Sequence, residues 1–147
     1  IGFSEEHTRA HLYRAMIEGL TYALREGKEL LEKRSGKPIT KLVVSGGGSQ
    51  SDQVMQISAD IFGMRVYRPH TFETSSLGAA IATAVGIGLY PDFPAAVTGM
   101  THVGDFFEPI ESNKKIYNDL FTKVYKKMYG QLKPSYESIR SISGKQE

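Results

Sequence analysis

The N-terminal stretch carries apolar residues at Leu12, Met16, Leu20, Ala23, Leu30 and Leu31, the three-to-four spacing of one helical face. Ser4 followed by Glu5 and Glu6 supplies an N-cap and an acidic first turn. Lys33, Arg34, Gly36 and Pro38 are stop signals. The pattern predicts one long helix over 5–34. Gly19 and Gly27 each weaken it by about 1 kcal/mol against alanine, and Gly19 suggests a close backbone approach.

The period then changes. Residues 41–45, KLVVS, are apolar on both faces and predict a short buried parallel strand. Residues 52–62 return to helical spacing, with Val54, Ile57, Ile61 and Phe62 inward and Gly63 as the stop. Residues 64–68 predict a second strand, ended by Pro69. Together these form a βαβ unit, right-handed by rule. A helix of small residues follows over 75–88, then a short helix over 92–100 and an extended segment over 103–108. Tyr117, Leu120, Phe121, Val124 and Met128 predict a helix over 112–131. Pro134 should break it, with a further helix over 135–140 and a frayed polar tail over 141–147. Two strands are too few for an independent sheet core. Either helices dominate the packing, or strands lie outside this chain. An opening at Ile1, close to a helix signal, favours a piece of something longer.

Composition narrows the class. The chain has 147 residues, 40% hydrophobic and 23% charged, which suits one globular domain. A net charge of +2 is too small to imply nucleic acid or a membrane surface, and no nucleic-acid or membrane partner is expected. No apolar run reaches the roughly 20 residues of a membrane span. With no cysteine there is neither a disulfide framework nor thiolate chemistry, which is compatible with the cytoplasm.

Candidate chemistry centres on SGGGSQS, residues 45–51. A strand that runs through glycines into a helix brings free N–H groups and the positive end of the helix dipole to one point. That is an anion site by geometry, and glycines let a ligand touch the backbone. The alternative is a turn that only needs positive φ; from these residues alone both readings stand. A Walker loop is excluded, because no lysine follows at the required place, and the dinucleotide fingerprint fails at Ser51. Ser49 and Ser51 are candidate helix caps or donors to a ligand oxygen. His7 and His11 share a helical face, but Thr8 stands where a metalloprotease motif needs Glu, so structural or solvated histidines are favoured. No G-x-S-x-G elbow supports a hydrolase. The tyrosines and lysines between 114 and 136 fit an amphipathic helix better than a nucleic-acid surface.

Four segments in order, HTRAHLYRAMIEGLTYALRE, KLVVSGGGSQSDQVMQISADIFGMRVYRP, ETSSLGAAIATAVGIG and FFEPIESNKKIYNDLFTKVYKKMYGQLKP, resemble the C-terminal domain of the FGGY carbohydrate kinases, the sugar and polyol kinases related to xylulokinase and glycerol kinase. The resemblance runs from His7 to about Pro134, and residues 44–69 are its specific part. It implies an α/β fold of the ribonuclease H-like, actin-like ATPase class, here an incomplete C-terminal domain over 1–140, helix-rich with a small parallel sheet. It also implies that residues 44–51 form an adenosine motif. Gly47 would contact the nucleotide, Gly46 and Gly48 would shape the loop, and Ser51 would hold the position that is Asn in glycerol kinases. The helix over 75–88 would pack on a counterpart near a hinge.

The family's first phosphate loop, its catalytic aspartate, its second phosphate motif and the ligands of Mg are not in this chain. On this resemblance the chain is the ATP-binding half of a kinase. ATP or ADP would be its ligand, and a sugar or polyol would be held mainly by another domain. No catalytic residue and no metal ligand is expected here, and the chain alone should be inactive. A homo-oligomer is expected through an unpaired sheet edge or the 75–88 helix. The alternative is a non-catalytic actin-like scaffold or oligomerisation module.

Overall fold

The computed structural model describes residues 2–144. Helix α1 (Arg9–Ser35) leads to strand β1 (Leu42–Val43), a 3₁₀ turn (Gly47–Gln50) and helix α2 (Asp52–Phe62). Strand β2 (Val66–Pro69), helices α3 (Thr74–Gly86) and α4 (Phe93–Met100) and strand β3 (Val103–Phe107) follow. The chain ends in α5 (Glu111–Leu120), a π-helical turn (Phe121–Tyr125) and α6 (Lys126–Ser143).

The sheet is mixed rather than parallel. Its order is β1-β2-β3, with β1 parallel and β3 antiparallel to β2. The extended segment expected over 103–108 is this third strand. Its register on β2 slips by one between Tyr67 and Pro69. At the slip a Cβ on Gly104 would lie 2.8 Å from the Arg68 carbonyl oxygen, so only glycine lets β3 pass this close. Pro69 does not stop β2; it is its last residue, where a missing N–H is tolerated.

Helix α2 is buried on two sides. Ile57 and Ile61 join Tyr22 of α1, Tyr117 of α5 and Phe121 in one apolar cluster. Met55 and Ala59 join Val66 in a second, packed by Leu42, Val44 and Phe107. The predicted inner face was half of this arrangement: Ile57 and Ile61 are buried, while Val54 and Phe62 are only half-buried. Strand β1 is not buried on both faces, since Val43 is half exposed. The predicted stripe of α1 is exposed, from Leu12 to Leu31; Thr21 and Tyr22 are the residues α1 buries. No atom lies within 4 Å of a Cβ built on Gly19, so the close approach expected there does not occur among the described residues.

Helix limits differ most towards the two ends of the chain; the helix predicted over 75–88 is Thr74–Gly86, and the one predicted over 112–131 is divided by the π-helical turn. The N-cap of α1 is Thr8, not Ser4. The Ser4 and Thr8 backbone N–H groups donate to His7 Nδ1 and His11 Nδ1, both at 3.0 Å, so the two histidines serve local turns. At the other end Pro134 does not break the helix; α6 runs through it to Ser143. The carbonyl deprived of its partner is that of exposed Gly130, where water can satisfy it. The tail expected over 141–147 is therefore helical as far as Ser143, and 145–147 lie outside the described residues.

Candidate functional site

The glycine loop leaves the carboxyl end of β1, the usual place for a ligand crevice in an α/β sheet. Gly46 has φ 90° and ψ −179°, a region that only glycine occupies comfortably. The turn hypothesis therefore holds for Gly46. It fails for Gly47 and Gly48. Neither has positive φ, and a Cβ on either meets nothing within 4 Å. The fold leaves both positions open to a side chain, and both are exposed. Their N–H groups open the 3₁₀ turn, where no intrahelical acceptor precedes them. Four residues after Gly48, α2 begins and directs the positive end of its dipole to the same region.

The two serines separate. Ser49 is fully buried, and its hydroxyl donates to the Gly46 carbonyl oxygen at 2.7 Å, beside its own N–H on the same oxygen at 3.0 Å. It stitches the loop and is not available to a ligand. Ser51 is the N-cap of α2: its Oγ accepts from Val54 N–H at 3.4 Å and donates to Gln53 Oε1 at 2.9 Å. Ser45 Oγ, just before the glycines, lies 3.2 Å from Thr74 Oγ1 at the start of α3. The loop thus sits between the first turns of α2 and α3.

Sequence reasoning missed Arg68. Its Nη1 donates to the Ser49 carbonyl oxygen at 3.0 Å and to Asp52 Oδ1 at 2.9 Å, and its Nη2 donates to Asp105 Oδ2 at 2.5 Å. The guanidinium carbon lies 5.2 Å from the centre of the Phe107 ring. A cleft of 410 Å³ opens beside this cluster, lined by Ser49, Gln50, Arg68, His70, Phe72 and Asp105 among others. The partners stand 16, 19 and 37 residues from Arg68. The only local signal was parity, because Arg68 points to the same side of β2 as buried Val66.

The model of the FGGY family of carbohydrate kinases, C-terminal domain, matches residues 1–87. The chain belongs to this family. Two similar relatives of the FGGY chain are an uncharacterized sugar kinase, YgcE, of Escherichia coli and a xylulose kinase of Staphylococcus epidermidis. The first is 39% identical and the alignment covers 98% of this chain and 30% of the relative. The second is 35% identical and the alignment covers 97% and 28%. Among solved structures, xylulose kinase from Rhodospirillum rubrum superposes with a TM-score of 0.77 at 28% identity, covering 93% of this chain and 28% of that one. The chain spans less than a third of the length of these relatives. The actin-like ATPase class is thus the class of its neighbours, and the chain itself contributes a helix-rich part with a small mixed sheet.

Proposed function

We propose that this chain is the nucleotide-binding part of a carbohydrate kinase, and that the loop Gly46–Gly48 with Ser51 receives the adenosine and α-phosphate end of ATP. The observation that carries this reading is the placement of Gly47 and Gly48: both are exposed at the turn between β1 and α2, and neither positive φ nor packing requires glycine there. Backbone conformation alone explains Gly46, while a ligand against the backbone would explain the other two. The exposed N–H groups and the start of α2 supply donors and positive potential for a phosphate. When the whole kinase is assembled, the γ-phosphoryl of MgATP would pass to a sugar or polyol hydroxyl. That chemistry is mainly positioning and charge stabilisation. The residues named here would position the nucleotide; the base and the Mg ligands belong to sequence outside this chain. No helix among the described residues is long and apolar enough to cross a membrane. Self-association, readable by light scattering, belongs to the same proposal, because β1 is an edge strand with Val43 half exposed.

Calorimetric titration with ADP tests the site. The parent chain should bind weakly and Gly47→Val not measurably, with thermal unfolding unchanged because the added side chain enters open space. Equal ADP affinity in the variant removes the glycines from the binding role.

A further inference from the structure

We propose that Arg68 is a positioning residue for the glycine loop: it fixes the loop and α2 to the sheet and offsets the Asp52 charge at the phosphate-receiving helix end. The second half of this statement rests on the nucleotide reading above; the first does not.

The geometry is that of a three-way clamp. One guanidinium nitrogen takes both the last part of the 3₁₀ turn, through the Ser49 carbonyl oxygen, and the first residue of α2, through Asp52. The other takes Asp105 on β3. A planar fork can serve acceptors in three directions from one rigid group, which an ammonium cannot do with the same directionality. The Arg68 side chain is only 20% exposed against 73% for Asp52, so the cation is fixed and the carboxylate leans on it from the surface. Gly104 permits this arrangement by letting β3 approach β2 where Asp105 is presented.

Electrostatics give the clamp a consequence. Asp52 suits the first turn of a helix, yet a carboxylate there competes with an incoming phosphate for the same positive end. With Arg68 the group of Arg68, Asp52 and Asp105 carries one net negative charge; without it, two. Removal of Arg68 therefore loosens the loop and repels a phosphate, while a neutral adenosine would feel only the loosening.

Amide hydrogen exchange on the whole chain tests the positioning without any ligand. The Ser49 and Ser51 N–H groups are held by the Gly46 and Gly48 carbonyls at 3.0 and 3.3 Å. In Arg68→Gln these two amides should exchange about tenfold faster, while Ala59 and Ile61 in the core of α2 keep their protection. Unchanged protection of Ser49 and Ser51 overturns the proposal, and so does equal loss at all four positions, which would mean general destabilisation. Affinities for ADP and adenosine then test the charge. Arg68→Gln should lose about tenfold for ADP and markedly less for adenosine, and adding Asp52→Asn should recover part of the ADP loss. Equal losses for both ligands, with no recovery, would sink the electrostatic half. A parent chain that binds no ADP defeats the nucleotide reading and the electrostatic half with it, while the exchange result still decides the positioning.

Discussion

At the scale of single residues, three adjacent glycines do different work. Gly46 bends the chain through a conformation closed to other residues, and Gly47 and Gly48 leave backbone uncovered. The difference is measurable in stability. Gly46→Ala should cost about 1–3 kcal/mol in denaturant unfolding, the usual cost of forcing a side chain into such a region. Gly47→Ala should lie within about 0.5 kcal/mol of the parent. Equal costs at the two positions would contradict the division. The turn and its Ser51 cap were legible because strand, glycine run and helix are contiguous in the chain. The division among the glycines was not, since it depends on the φ of each residue and on the space around it. Ser49 shows the same limit. Its hydroxyl looked available, yet the fold turns it inward to the Gly46 carbonyl. Arg68 carried no signal beyond strand parity for another reason: its role is made by partners that come together only through the sheet.

At the scale of elements, α2 was read correctly to both ends because its Ser51 cap and Gly63 stop are local signals. Its burial on two sides was not legible, since one amphipathic face is all that periodicity reports. For α1 the length was nearly right and the buried face was not. The helix is held by Tyr22 against Tyr117 and Phe121 rather than by its leucines. Polar ties reinforce this interface: Tyr117 OH donates to Glu18 Oε1 at 2.6 Å, and Arg25 donates to the Ile61 carbonyl oxygen at 2.9 Å. Burial, with Glu18 nearby, raises the Tyr22 phenol above its ordinary value. Burial and then the bond to Glu18 raise Tyr117, and burial followed by the Glu26 charge raises Tyr125. The sign follows directly. The unfolded chain loses these protons from about pH 10, the folded chain only higher, so stability falls as pH rises through that range. A tyrosinate absorbance titration should show a late group ionising together with loss of helical circular dichroism. All eight tyrosines ionising near pH 10 with the helix signal intact would contradict it.

At the scale of the whole molecule, two features lie at the surface. The sheet has three strands with β1 at an edge, and α1 leaves Met16, Leu20, Leu24 and Leu31 exposed along one side. Periodicity recognised Met16, Leu20 and Leu31 as one face without saying what they face, and did not include Leu24. The same holds for function: the FGGY chain spans less than a third of the length of its relatives, and on the proposed reading its glycine loop would hold one end of a nucleotide whose reacting end meets other sequence. The central claim is that ADP meets the backbone at Gly47 and Gly48. Amide chemical-shift mapping of the labelled chain during an ADP titration tests it most directly. The largest shifts should fall on Gly46, Gly47, Gly48 and the first turn of α2, and Gly47→Val should abolish them. Saturable shifts that centre elsewhere and survive in Gly47→Val, or none at all in the parent chain at high ADP, would contradict the account.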